Sequence, residues 1–344
     1  MEFHYCKHRL EFKVPGGTSR GVLSHKDSWF LVLKDKGKTG VGECSIIEGL
    51  SPETPAQVEA ALPQISTEID LGLDVLYQKY AHMPAIQFAL EMAFGGLQSE
   101  DPFVFFDTPF VKGQNPLVIN GLVWMGASHF MQAQIEEKLA LGYDCIKLKI
   151  GALDFDLECS LLSEMRKRFD KSSLQIRVDA NGAFFLEEAL EKLERLAQYD
   201  IHSIEQPIAV DQWEAMAHLC AVSPVPIALD EELIGRHSDE DKRALLKAVS
   251  PQYLIIKPSL IGGWKGANHW VELAEEYGIG WWATSALESN VGLNAIAQWC
   301  ADKQMTMPQG LGTGQLFTNN FESPLYLTGN LLGYDPNKDW KFKF

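Results

Sequence analysis

The chain has 344 residues, 46% of them hydrophobic and 22% charged, the make-up of an ordinary folded protein rather than a disordered one. A net charge of −16 leaves no basic footprint and argues against nucleic acid or anionic membrane as a partner. The opening MEFHYCKHRLEF lacks the apolar run of a signal peptide, no stretch approaches the ~20 apolar residues of a membrane span, and the six cysteines form no C-x-x-C, so a cytosolic protein with reduced, mostly buried thiols is expected.

The first part of the chain reads as a small α+β unit. Strands are expected around 3–14, 28–35 and 40–47, joined by a loop at Pro15-Gly16-Gly17 and a hairpin turn at Lys36-Gly37-Lys38, with helical patterns over 52–66 and 84–98. Gly17-Thr18-Ser19-Arg20-Gly21 is a literal G-x-S-x-G, the elbow of a serine hydrolase, but that elbow needs a helix after it and VLSHKDSWFLVL is a strand pattern. The segment reads better as a loop able to close over a site, with Gly16 and Gly17 as hinges and Ser19 and Arg20 reaching a substrate carboxylate.

From about 116 a regular alternation begins. Short apolar strands are expected at 118–124, 145–150, 176–181, 203–208, 226–231, 254–259, 281–287 and 307–311, with helices between them. Leu186, Ala189, Leu190, Leu193, Leu196 and Ala197 form one helical stripe, and Ser238 with Asp241 marks a helix N-cap. About eight strand–helix units of similar length are the signature of a parallel (β/α) barrel. An open doubly wound sheet is the alternative, yet no G-x-G-x-x-G follows the first strands.

On a barrel, the C-terminal strand ends meet at one mouth, and here five successive strands end in a charge: Lys149, Asp179, Glu205, Asp230 and Lys257. Three carboxylates on neighbouring strands repel unless protons or a cation hold them together, and an all-oxygen set favours Mg²⁺, with Mn²⁺ as a substitute. Lys147 lies one pleat below Lys149, placed to neutralise the carboxylates, while burial and a nearby cation are expected to lower the lysine pKa toward the range of a base. Abstraction of a proton α to a carboxylate is the chemistry that uses a metal and a lysine together, because the enediolate it produces needs immediate charge compensation.

At these residues the sequence resembles the enolase superfamily, in its muconate-lactonising subgroup: K-x-K at Lys147-Leu148-Lys149, a second lysine at Lys257, and acids in VDANG, IEQPI and ALDEE. Within it, TSRG at 18–21, GECSIIEGLS at 42–51, INGLVWMG at 119–126, SALESNVGL at 285–293 and GLGTGQLF at 310–317 are similar to the o-succinylbenzoate synthase family. The resemblance implies a modified (β/α)₇β barrel over 113–319, an α+β capping domain over 1–112, and a tail over 320–344 returning to the cap. It implies a small-molecule carboxylate as substrate and dehydration of 2-succinyl-6-hydroxy-2,4-cyclohexadiene-1-carboxylate in menaquinone biosynthesis. Asp179, Glu205 and Asp230 would hold Mg²⁺, Lys149 would act as base and acid on one face, and Lys257 would face it. Further substrate contacts are expected from Asn181, Ser285, Glu288, Ser289, Gly312 and Thr313.

The competing readings on the same scaffold are a dipeptide epimerase, an N-acylamino acid racemase and a muconate cycloisomerase. Epimerases of this kind commonly carry D-x-D after the eighth strand, where this chain has Gly312-Thr313-Gly314. A serine hydrolase and a non-catalytic binding protein are the remote alternatives.

Overall fold

The structure is a computed structural model that describes residues 1–18 and 21–343. Three strands, β1 (Glu2–Thr18), β2 (Gly21–Asp35) and β3 (Lys38–Ser45), form an antiparallel sheet. The helices Pro55–Glu68, Leu73–Lys79 and Pro84–Gly96 cover one face of it. Trp29, Leu31 and Leu33 alternate inward from β2 onto those helices, whose apolar stripes supply Val58, Leu62, Ile65, Ala89 and Leu90. β3 lies so close to the helix Pro84–Gly96 that a Cβ on Gly42 would stand 1.9 Å from the Ala89 carbonyl oxygen, so only glycine fits there.

After the short β4 (Leu117–Val118), seven parallel strands follow: β5 (Gly121–Val123), β6 (Cys145–Lys149), β7 (Gln175–Asp179), β8 (Ser203–Glu205), β9 (Ile227–Leu229), β10 (Tyr253–Ile256) and β11 (Gly280–Ala283). They pair in sequence order. Two isolated parallel bridges, Ile119↔Gln309 and Thr284↔Gly310, join the ends of this sheet, so the expected eighth strand is reduced to a pair of closing residues. The remaining strands, β12 (Leu325–Thr328) and β13 (Leu331–Tyr334), form a hairpin that pairs with β4.

Helices wrap the barrel as the periodicity predicts. Leu186–Ala197 buries Ala189, Leu193 and Leu196, and the Ser238 hydroxyl accepts the Asp241 N–H at 3.0 Å to start Asp239–Val249. Ile146, Leu148, Ile176 and Val178 point outward into this helical layer, which leaves Lys147, Lys149, Arg177 and Asp179 for the interior. Phe321, Trp340 and Phe342 fold back to pack on Phe30, Val32, Val41 and Phe103.

The two glycines read as hinges lie instead in paired strands. Gly16 pairs with Leu23 and Gly17 with Val22 after an irregularity between Glu11 and Gly16. The Gly17 carbonyl accepts the Met125 N–H at 3.2 Å, and a Cβ on Gly17 would meet the Met125 oxygen at 2.3 Å. These glycines therefore allow close docking on the barrel, where the sequence suggested hinges. Strands flank both sides of the G-x-S-x-G, so the helix a hydrolase elbow requires is absent there. Ser19 and Arg20 lie outside the described residues.

No helix among the described residues is long and apolar enough to cross a membrane. All six cysteines are free thiols; Cys6 is exposed and the other five are buried.

Candidate active site

The register of β6, β7 and β8 sets Lys149 beside Asp179 and Asp179 beside Glu205, all at the mouth end. Asp230 follows β9 and Lys257 follows β10. The structure thus brings the six charged residues singled out from the sequence into one network. Lys147 Nζ lies 2.8 Å from Asp179 Oδ2 and 2.5 Å from Glu205 Oε2. Lys149 Nζ lies 2.7 Å from Asp179 Oδ2 and donates to Asn181 Oδ1 at 2.7 Å. Lys257 is hydrogen-bonded to Asp230 and stands 3.6 Å from Glu205 Oε1.

Burial opposes every charge in this cluster. At Asp179, burial alone would raise the pKa, and the ammonium groups of Lys147, Lys149 and Lys257 outweigh it, holding the carboxyl below the usual carboxylate range. Glu205 goes the other way, raised by burial and by the charge of Asp179. Burial also raises Asp230, against the pull of Lys257.

The sequence suggested lysines whose pKa burial and a nearby cation would lower; beside the carboxylates alone, two of them go the other way. Burial does act to lower Lys147 and Lys257, but the carboxylates facing them win and both are raised. Among the described residues, no three His, Cys, Asp or Glu side chains stand grouped as an ion cage, because the carboxylates turn toward these ammonium groups. The donor set still fits a hard divalent ion: three carboxylates on adjacent strand ends, with Glu205 Oε1 buried and without a hydrogen-bond donor.

Above the network lies a cavity of about 290 Å³ into which Lys147, Lys149 and Lys257 project. Lys149 and Lys257 sit on strands four apart in a ring of eight segments, hence on opposite sides. The cap supplies Leu23, Ile47 and Leu50 to the roof, and Trp124 and Leu287 complete an apolar wall.

Asn181, Ser285, Gly312 and Thr313 line this cavity. Glu288 and Ser289 do not. Glu288 is fully buried behind the wall, where it accepts the hydroxyls of Ser259 and Ser285. Ser289 is turned to the cap, bonded to Glu43 through its N–H at 2.9 Å and its hydroxyl at 2.6 Å. A carboxylate and a helix-capping hydroxyl this deep are satisfied by protein partners, which removes them from the substrate surface.

Sequence reasoning passed over Asn120, Trp124 and Ile47 in the lining, and Glu231, which accepts from the Asn181 amide at 2.9 Å. INGLVW carried the first two, and the second acid in ALDEE was the signal for Glu231.

A family profile for "Enolase C-terminal domain-like" matches residues 131–321. The o-succinylbenzoate synthase of Desulfotalea psychrophila is 48% identical, with 97% of this chain and 99% of that protein covered. The crystal structure of MenC from Desulfotalea psychrophila superposes with a TM-score of 0.87 at 46% identity, over 97% of this chain and 99% of that one. A dipeptide epimerase from Enterococcus faecalis, solved with Mg and the dipeptide L-Leu-L-Tyr, shares the fold with a TM-score of 0.84 at 20% identity, over 97% of this chain and 96% of its own.

Proposed function

Because the chain belongs to the o-succinylbenzoate synthase family of the enolase superfamily, a family of carbon–oxygen lyases, we propose that its barrel mouth dehydrates 2-succinyl-6-hydroxy-2,4-cyclohexadiene-1-carboxylate to 2-succinylbenzoate. The observation that carries this reading is the placing of Lys149 and Lys257 across one cavity, over a base of three carboxylates and under an apolar roof. A six-membered ring suits such a roof, and a carboxylate suits the ammonium groups in the lining together with an ion held by the base.

Asp179, Glu205 and Asp230 would hold Mg²⁺. When bound, the ion supplies positive charge for the substrate carboxylate and its enediolate. Lys149 takes the proton from the carbon α to the ring carboxylate. It then returns that proton to the hydroxyl leaving from the same face, and water departs as the ring becomes aromatic. Lys147, held between Asp179 and Glu205, offsets the negative charge of the pair. Lys257 faces the opposite side of the ring, placed as a cation paired with the enediolate.

The loss of water needs a base on one face, whereas an epimerase needs a proton returned from the other. Dipeptide ammonium groups would find no acid in Gly312-Thr313-Gly314, where epimerases of this kind commonly carry D-x-D. The test is direct: purified protein with Mg²⁺ and the cyclohexadiene acid should yield 2-succinylbenzoate, seen by the growth of its aromatic absorbance. Absence of product with the ion present would sink the assignment.

A further inference from the structure

One fully buried residue bonds all three chain segments that carry the carboxylates. Gln206 follows Glu205 directly. Its carbonyl accepts the N–H of Gly182 at 2.7 Å, three residues after Asp179, and its own N–H donates to the Ala228 carbonyl at 2.9 Å, two residues before Asp230. The side chain extends the same bracket. Gln206 Oε1 accepts the Asp230 N–H at 3.3 Å and the Glu232 N–H at 3.4 Å, while Nε2 donates to the Ile208 carbonyl at 3.1 Å and to Glu232 Oε2 at 3.4 Å.

Two further features set Gln206 apart from a routine core amide. Its φ of 41° lies in the left-handed region, which costs energy for a long side chain and persists only where surrounding bonds enforce it. The partner Glu232 is fixed from outside as well, accepting the Trp213 indole N–H at 2.6 Å and the Asp211 N–H at 3.1 Å. The amide is thus a rigid spacer between the strand ends of β7, β8 and β9.

We infer that Gln206 is the positioning residue that sets the spacing of Asp179, Glu205 and Asp230 for a divalent ion, an inference that rests on the ion site proposed above. It touches neither substrate nor ion and acts by fixing the backbone from which the three carboxylates project. Outer partners of this kind commonly account for about 10–100-fold in ion affinity.

The experiment is Mn²⁺ binding followed by electron paramagnetic resonance, with melting temperature measured on the same samples. Gln206→Met keeps the length and removes the bonding groups; the folded variant should bind Mn²⁺ at least tenfold more weakly than wild type, with kcat falling more than KM rises. Should that variant not fold, Gln206→Ala, which leaves room for solvent, is read in the same way. A purely structural role would lower the melting temperature and leave Mn²⁺ affinity within about twofold, which overturns the inference. If the wild-type protein itself binds no Mn²⁺, the ion-site reading fails instead.

Discussion

Glu43, on the cap strand β3, accepts the N–H and the hydroxyl of Ser289, at the start of the barrel helix Asn290–Asp302, 246 residues further along the chain. It also accepts the Gly292 N–H at 2.9 Å and the Ser28 hydroxyl at 2.8 Å. One buried cap carboxylate therefore serves as the N-terminal anion of a barrel helix. Glu43→Ala leaves four buried donors without their acceptor and should cost roughly 3 kcal/mol or more, while Glu43→Gln should cost less. Equilibrium denaturation measures the difference, and equal stability of wild type and Ala variant would refute this view of the seam.

Lys149→Ala should lower kcat at least ~10²–10⁴-fold, as expected when a general base is lost. Lys149→Arg should be nearly as damaging, because a guanidinium does not surrender its proton in this range. Steady-state rates with the cyclohexadiene acid decide it; a variant keeping a tenth of wild-type turnover moves the base elsewhere.

Exhaustive chelation should abolish activity without unfolding the protein, since the core of the barrel is apolar and independent of the carboxylate cluster. Added Mg²⁺ or Mn²⁺ should restore turnover. Circular dichroism before and after chelation is the control. Activity that survives chelation would remove the ion from the reaction.

The contribution of two buried carboxyls to stability should fall as pH rises from about 4.5 to about 7. Burial pushes Glu91 up to about 7, although it accepts N–H bonds from Trp264 and Lys265 at the start of the barrel helix Gly263–Tyr277. Glu53 is raised to about 7 by burial as well. A carboxyl with a folded pKa above its unfolded value binds its proton more tightly in the native state, so its contribution is present below the unfolded pKa and is lost through the folded one. For Glu91 that loss is on the order of 3 kcal/mol. Glu91→Gln should flatten the decline, measured by urea denaturation at pH 5 and pH 8; an unchanged slope would mean that Glu91 does not titrate in that window.

In D₂O, dipeptides should take up little or no deuterium at the α-carbon, for want of an acid in Gly312-Thr313-Gly314. Each 1.36 kcal/mol of unpaired ammonium is a factor of ten in rate. N-acylated amino acids carry no ammonium and are the harder test. Exchange into dipeptides without dehydration of the cyclohexadiene acid would reverse the assignment.

Much of the site was legible because it is written in strands: the residues from Lys147 to Lys257 are each fixed by a short apolar run whose parity decides which side chains face inward. The cap hairpin was not, since Gly16 and Gly17 look alike whether they bend or allow close approach, and only the distant Met125 settles it. Glu288 and Ser289 were assigned to substrate because their partners Ser259 and Glu43 are remote in sequence. The raised pKa values of Lys147 and Lys257 follow from which carboxylate each meets in space, a fact that no local pattern carries.

The two closing bridges of the barrel have a bearing on how the chain reaches its native state. Ile119 and Gln309 meet across the whole intervening barrel sequence, so this joint is the least local of the ring and is expected to form last. Ser285 and Thr313, hydrogen-bonded to each other at 2.8 Å, flank the joint and line the cavity. Ring closure and completion of the cavity wall are thus one event. A nascent chain can set the strands from β5 to β11 side by side while its charged ends still share an open edge with solvent. Pulse-labelling of amides during refolding should find Gln309 and Gly310 protected after the strands they join.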